Sequence, residues 1–509
     1  MKLRGMAGVL FVAAWCLSTT ASAHAADHFL TIGGGGSPHN NQVSLERNVV
    51  YFRRTLADCG LASAPHEVYF ACGNERIRDL QFDDANAQPP RANVLLARLW
   101  DREDDLYHNY RPHELPDVQG PANRASINEW FAKTGARLAD GDRLFVYFTG
   151  HGGPGGRQTP RNTTMDLWLD GGMTVKDFTA LLDKLNSKVK VVLIMVQCHS
   201  GGFGGVLFPG GEAGPVLSEQ SRCGFFATWS DRLAAGCTPD TREEDYKDYT
   251  TYFFAALSGH TRTGKAVAAP DYDHDGQVSL AEAHASVLLA DDTIDIPVCT
   301  SDVLLRQFSK IRDERVKDLV TPSAPFEQLL NLASPERRAV LEGLAKQLDL
   351  IGDDKASAAR RIAESLDRQR RQLDQRPGRN RERDNLRNQI RARVLSRWPE
   401  ISNPYHPAAV AAMTKEADAI VKLIESQSGF KRWDDLVRQA EDQGDKSLDL
   451  ERRWVKCQRF LYVAETVALE ANLEKFAGRL VQARYKALRE AEGGRLGKAP
   501  AAAAVGAGR

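Results

Sequence analysis

Two short stretches carry residues able to do covalent chemistry. Asp142-Arg-Leu-Phe-Val-Tyr-Phe-Thr-Gly-His-Gly-Gly153 is an apolar run ending in a histidine and two glycines. Lys190-Val-Val-Leu-Ile-Met-Val-Gln-Cys-His-Ser-Gly-Gly202 is an apolar run ending in a cysteine. A free thiol is mostly protonated at neutral pH, so a nucleophilic cysteine needs a base beside it. His151 and Cys198 are the candidate base and nucleophile. Acyl transfer also needs donors for the developing oxyanion. Glycine lets the backbone come close to a substrate carbonyl, so the N–H of Gly152, together with that of Cys198, is the candidate donor pair.

The elements that must hold these residues are strands. A continuous β-branched run reads as a central parallel strand buried on both faces, and in such sheets chemistry gathers beyond the carboxyl ends. If the two runs are neighbours, His151 and Cys198 project from one edge. Around them the pattern predicts a first strand ending in the glycine run 33–36 and an amphipathic helix over 41–58. A second strand follows at 66–72, then a long Pro/Asp/Asn-rich excursion at 82–124 and a helix over 126–138. The glycine run lacks the Lys-Ser/Thr ending of a phosphate loop, so no nucleotide site is expected. Thr174-Val-Lys-Asp177 reads as a variant capping box opening a crossover helix to Asn186. A glycine-rich loop is expected over 201–215, and Phe225-Phe-Ala-Thr-Trp-Ser230 reads as the next strand.

Tyr147-Phe-Thr-Gly-His-Gly152 resembles the histidine motif of the caspase-like cysteine peptidases, and Gln197-Cys-His-Ser-Gly-Gly202 resembles their nucleophile motif, between the caspase, metacaspase and legumain versions. The 46 residues between His151 and Cys198 suit that family's strand–helix–strand spacing. The resemblance implies a three-layer α/β/α domain with a mostly parallel sheet over residues 26–300, with His151 as base and Cys198 as nucleophile. It also implies that the strand ending at Ser230 and the loop after it line the pocket for the residue before the cut. Asp231-Arg-Leu-Ala-Ala-Gly-Cys-Thr-Pro-Asp240 is similar to the matching legumain segment, which makes Ser230, Asp231 and Asp240 the candidate substrate-binding residues. An acidic pocket favours Arg, Lys or Asn there.

A second motif is Asp271-Tyr-Asp-His-Asp-Gly-Gln-Val-Ser-Leu-Ala-Glu282. It matches a twelve-residue EF-hand loop, with ligands expected from Asp271, Asp273, Asp275, the Gln277 carbonyl, Ser279 and Glu282, and Gly276 at the sharp turn. Hard oxygen donors at this spacing wrap one Ca²⁺. The preceding helix, expected over 249–258, is separated from the loop by residues 259–270, so the loop is expected to stabilise the fold or order a pocket wall, not to act as a graded sensor.

The chain has 509 residues, 42% hydrophobic and 26% charged, with no net formal charge. Such a composition supports two or more packed domains and gives no global reason for nucleic-acid or membrane-surface binding. Residues 1–25 read as a secretory signal with Lys2 and Arg4, an apolar core and an Ala23-His-Ala25 cleavage site. The core is too short to span a bilayer, so export to the periplasm or beyond is expected. Eight cysteines become seven after cleavage. With Cys198 reserved as nucleophile, six remain for one to three disulfides.

From about residue 301 strand patterns give way to charged helical periodicity, expected as an all-α domain of three to six helices over 301–492. One helix opens at Ser334-Pro-Glu and ends by Gly352, and a long helix is expected over 448–491. Residues 360–397 hold 13 arginines against five acids, read as solvated helices broken at an exposed hinge over 376–383. The Gly/Ala-rich residues 493–509 read as a disordered tail. The sequence therefore points to an exported cysteine endopeptidase acting on protein or peptide, whose helical domain covers the active site or binds a protein partner. The same thioester could serve a transpeptidase or ligase, and a catalytically silent calcium-binding interaction protein is the reading outside enzymology.

Overall fold

A computed structural model describes residues 25–374, 377–404 and 406–497. Most of the expected signal segment, residues 1–24, lies outside these, as does the tail beyond residue 497. The chain is mixed α/β, with a mostly parallel six-stranded sheet and a helical C-terminal region.

The chain enters the sheet at β1 (Asp27–Gly34), crosses through helix α1 (Val43–Asp58) and returns at β2 (His66–Phe70). A two-stranded antiparallel pair follows, β3 (Leu80–Asp83) with β4 (His108–Arg111), and helix α2 (Arg91–Trp100) lies between its strands. Helix α3 (Arg124–Lys133) leads into β5 (Arg143–Gly150). Beyond β5 come the small hairpin β6 (Thr164–Leu167) and β7 (Gly171–Thr174), helix α4 (Val175–Leu182), β8 (Lys190–Met195) and β9 (Arg222–Phe226). Helices α5 (Tyr249–Ser258) and α6 (Leu280–Ala290) precede the edge strand β10 (Val298–Cys299). The strand order is β10-β9-β8-β5-β1-β2, and only β10 runs antiparallel to its neighbour. After β2 the chain returns to the opposite side of β1, which opens a crevice at the carboxyl ends of β1 and β5.

Alternation along the strands divides the sheet's side chains between two cores, as period-two geometry requires. Phe29, Phe145, Tyr147, Ile194 and Phe225 pack on one face with residues of α1, α5 and α6. Leu30, Val146, Phe148, Leu193 and Met195 pack on the other with residues of α3 and α4. The crossover helix opens as its sequence suggests: the Thr174 side chain accepts from the Asp177 N–H, and the Asp177 carboxylate accepts from the Thr174 N–H.

The helical region begins with α7 (Thr300–Phe308) and α8 (Phe326–Leu332). It continues through α9 (Pro335–Gln347), α10 (Lys355–Asp374), α11 (Pro377–Arg397), α12 (Pro407–Lys415) and α13 (Ala417–Glu425), and ends with α14 (Phe430–Phe476) and α15 (Arg479–Glu492). Among the described residues, eight helical segments from Phe326 to Glu492 exceed the expected three to six, because charged sequence without strong breaks hides short helix boundaries. The expected single helix over 448–491 is two. It stops at Phe476, where Ala477 turns extended and Gly478 precedes α15. It also starts earlier, through Gly444, whose Cβ position faces open space. At 47 residues α14 is roughly 70 Å long. Helix α11 covers most of the expected exposed hinge over 376–383, its described residues beginning at Pro377; residues 375–376 lie outside the description.

The helical region shares its core with the sheet. Leu469 and Leu473 of α14 and Tyr485 and Leu488 of α15 belong to the same apolar cluster as Phe145 and Phe225. Helix α2, inside the long excursion, packs its Leu95 and Leu99 against Val394, Ile420 and Trp433. The start of the expected disordered tail is also packed: Leu496 is buried in the sheet's core, and the Gly494 carbonyl accepts from the Leu280 N–H. The seven cysteines from Cys59 to Cys457 are free thiols, so the expected disulfides are not formed. Most of them serve as small core residues: Cys72, Cys223, Cys299 and Cys457 are buried. Among the described residues, no helix is long and apolar enough to cross a membrane.

Candidate active site

Strands β5 and β8 pair in parallel, with Arg143 opposite Lys190 and Phe148 opposite Met195. The same register, carried past both strand ends, sets His151 opposite Cys198. The close approach of these two loops explains Gly152. A Cβ there would lie 2.6 Å from the Cys198 carbonyl oxygen and 2.5 Å from that of Thr164, so only glycine fits. The Gly152 amide N–H donates to no group among the described residues, whereas the Cys198 amide reaches its own sulfur.

The nucleophile turn is shaped by the residue after it. His199 adopts φ 62°, in the left-handed region that a β-carbon disfavours. The turn is held by three bonds: His199 N–H donates to the Arg232 carbonyl (2.8 Å), His199 Nδ1–H to the Ser230 carbonyl (3.0 Å), and the Thr163 hydroxyl to the His199 carbonyl (3.0 Å). The expected loop over 201–215 is instead 3₁₀ helix at Ser200–Leu207 and Pro209–Gly211, because its glycines pack on backbone; a Cβ on Gly201 would meet the Thr228 carbonyl at 2.7 Å. The strand expected at 225–230 lies earlier, at Arg222–Phe226, so Ser230 sits in the following loop.

Cys198 and His151 share an edge but are not hydrogen-bonded to each other. His151 Nε2 lies 2.9 Å from Gln42 Oε1, and the Asp166 N–H donates to the His151 carbonyl. Cys198 is half-buried beneath the loop after β9: the Ala234 N–H donates to Sγ (3.2 Å), and the thiol faces the Ala234 carbonyl (3.7 Å). Burial lowers the His151 pKa below the ordinary imidazole value, against opposing contributions from the Asn40 carbonyl and Asp166. Burial raises the Cys198 thiol above its ordinary value, with Asp295 and Asp166 adding to the effect and the Ala234 amide opposing it. Burial thus favours the thiol and the neutral imidazole over a thiolate–imidazolium pair.

The loop over Cys198 is held from several sides. Arg232 pairs with Glu451 of α14 at 2.8 Å and stacks on Trp454, and Glu451 also pairs with Arg370 of α10. The Ala235 N–H donates to Asp295 Oδ1 at 2.8 Å. Beside this loop is a cleft of about 680 Å³, with Arg161, Gly202, Ser230 and Asp231 on one side and Arg306, Tyr462 and Glu465 on the other. Ser230 and Asp231 thus share a cleft bordering the nucleophile loop. Asp240 does not join them: its carboxylate holds Arg242 at 2.7 Å within its own turn. Gln42, Ala234 and His199 were not marked by the sequence patterns. Ala234 acts through its backbone, which no side-chain pattern reveals, and Gln42 reads only as the residue before a helix.

In the loop over 271–282, the carboxylates of Asp271, Asp273 and Asp275 come within 4.8 Å of one another. Gly276 makes the turn at φ 84°, and its N–H donates to Asp271 Oδ2. Glu282 reaches back across the loop, accepting from the Tyr272 N–H through Oε1 (2.7 Å) and from Ser279 N–H and Oγ through Oε2. Ser279 caps α6, and Gln277 contributes an N–H bond to Asp275. The three gathered carboxylates are hard oxygen donors of the kind a divalent cation takes, and in this structure Asp275 also pairs with Arg495.

No family model matches this chain. No curated protein matches it. Among solved structures, protein GSU0716 from Geobacter sulfurreducens aligns with a TM-score of 0.30 and 13% identity, over 54% of this chain and 92% of its own. That likeness carries no argument about fold or function.

Proposed function

We propose that this chain is an exported caspase-like cysteine endopeptidase. In this reading the sheet and the helices on its two faces form the three-layer α/β/α domain that the motif resemblance implies. His151 accepts the Cys198 proton as sulfur attacks the substrate carbonyl, and then protonates the leaving amine. The N–H groups of Gly152 and Cys198 hold the oxyanion. Water, deprotonated by His151, hydrolyses the thioester and regenerates the thiol. The observation that carries the reading is the conjunction at one sheet edge: a thiol, an imidazole and the Gly152 amide, which has no partner among the described residues.

Ser230 and Asp231 line a cleft that shares Gly201 and Gly202 with the turn after Cys198 but does not include Cys198 or His151, and Asp231 is the proposed reader of Arg, Lys or Asn before the cut. The loop's cation is proposed as Ca²⁺, held by Asp271, Asp273, Asp275, the Gln277 carbonyl, Ser279 and Glu282. It would neutralise the crowded carboxylates at the start of α6. The helical region is proposed to govern access to Cys198, because α14 holds Arg232 two residues from the backbone that covers the sulfur.

The test compares the full chain with its Cys198→Ala variant on a peptide library varied before the cut, in calcium and in chelator. Cleavage by the parent alone, after basic or Asn residues and with that preference weakened in Asp231→Ala, is the expected result. Equal cleavage by both proteins, or by neither, would refute the assignment.

A further inference from the structure

We infer that the seam between the sheet and the helical region holds a zinc site built from His284, Cys299 and Asp302. This site is separate from the carboxylate loop and does not depend on what Cys198 does. The three residues come from three elements, α6, β10 and the first turn of α7, and are 5%, 5% and 6% exposed. Their donor atoms all lie within 4.8 Å of one another.

The orphaned group among them is His284 Nε2, which is buried with no hydrogen-bond partner. Leaving such a nitrogen empty is costly, and native structures rarely do so. Its other ring nitrogen, Nδ1, lies 2.8 Å from the Tyr249 hydroxyl. With Nδ1–H donating to that oxygen, the Nε2 lone pair is left for a metal, the arrangement typical of ligating histidines. His284, Cys299 and Asp302 line one small cavity of about 30 Å³, large enough for a single ion or water. Asp302 keeps donor capacity, since its contacts to the Cys299 N–H (3.2 Å) and to Arg337 (3.5 Å) are both long. Arg337 is held more tightly by Glu470, at 2.5 Å.

Charge supports a divalent occupant. The cavity is lined by three carboxylates, of Asp302, Glu336 and Glu492, against two guanidiniums, of Arg337 and Arg489. Ionisation of Cys299 brings the surplus to two negative charges, which one divalent cation neutralises; the thiol proton leaves to solvent as the metal–sulfur bond forms. Sulfur, imidazole and carboxylate together select a borderline cation such as zinc over calcium or magnesium. Zinc–ligand bonds of 2.0–2.3 Å imply donor spacings of roughly 3.5 Å, so shifts of about 1 Å close the set. The bound ion would clip α6, β10 and α7 together beneath α9 and α15.

The test uses the full chain, produced with zinc in the medium and dialysed against buffer with excess calcium, which occupies the carboxylate loop, followed by elemental analysis. About one zinc per chain should remain. Protein refolded with Co²⁺ should show thiolate-to-cobalt absorption, lost in Cys299→Ser, and His284→Asn should lower the zinc content. A calcium-dialysed parent without zinc, whose cobalt-refolded form lacks the thiolate band, would overturn the inference and leave the cavity to one water. That outcome is readable on the parent alone, whether or not the variants fold.

Discussion

At the residue scale, burial favours the neutral forms of the proposed catalytic pair. The Cys198 thiol is held above its ordinary pKa of 9.0 by burial and by Asp295 and Asp166, and His151 is held below 6.5 by burial. Alkylation of Cys198, followed by peptide mass so that exposed Cys237 is counted separately, should rise with pH through a midpoint above 9.0, because thiolate forms only there. Activity should fall in acid with a midpoint below 6.5, as His151 takes the proton that prevents it from acting as a base. A thiolate–imidazolium pair would instead give alkylation of Cys198 that persists below pH 6.5. His151, Cys198 and Gly152 were legible because their chemistry is tied to residue type and to glycine punctuation at strand ends. Asp240 shows what residue type leaves out: its carboxylate pairs with Arg242, a neighbour two residues on, and it lies outside the cleft that Ser230 and Asp231 line.

At the element scale, the device of interest is the loop after β9. Its Ala234 covers the sulfur while its Arg232 is tied to Glu451 on α14. The pair is about one-fifth exposed, so it contributes on the order of 1 kcal/mol. Glu451→Gln should therefore raise turnover of a small peptide roughly fivefold, the rate equivalent of that energy, with the helix content unchanged. Unchanged turnover would mean that the loop moves independently of α14. The central strands, the capped crossover helix and the helix after Ser279 were legible because local signals agreed with tertiary burial. The 3₁₀ turns after Cys198 were not, since the tight packing of Gly201 and Gly202 on backbone from distant segments sets them. The break at Ala477 was hidden in the same way, by helical periodicity that runs through it.

At the scale of the whole molecule, the two halves are one packed unit. Arg459 of α14 is fully buried, donating to the Asp291 carboxylate at 2.8 Å and to the backbone carbonyls of Asp291 and Asp295. Removing one partner of such a pair leaves an uncompensated charge, at about 3–5 kcal/mol. Arg459→Ala should lower the denaturant midpoint accordingly and loosen the segment that places Asp295 near Cys198; a change within about 0.5 kcal/mol would contradict this. Deleting the helices would strip α14 and α15 from the sheet's own core, so point variants are the cleaner probe of their role. The sequence marked a change of texture near residue 301, but not that α2 and residues 493–497 cross it to pack on the other half. Such contacts depend on non-local packing that periodicity does not encode.

The central claim is that Cys198 forms a thioester with substrate, assisted by His151. The most direct measurement is mass mapping of the full chain after reaction with a peptide bearing a thiol-reactive carbonyl and Arg before it. The account predicts one adduct per chain, on Cys198, formed far more slowly in His151→Ala. Labelling spread over Cys59 and Cys237, or labelling of Cys198 at the same rate without His151, would contradict it.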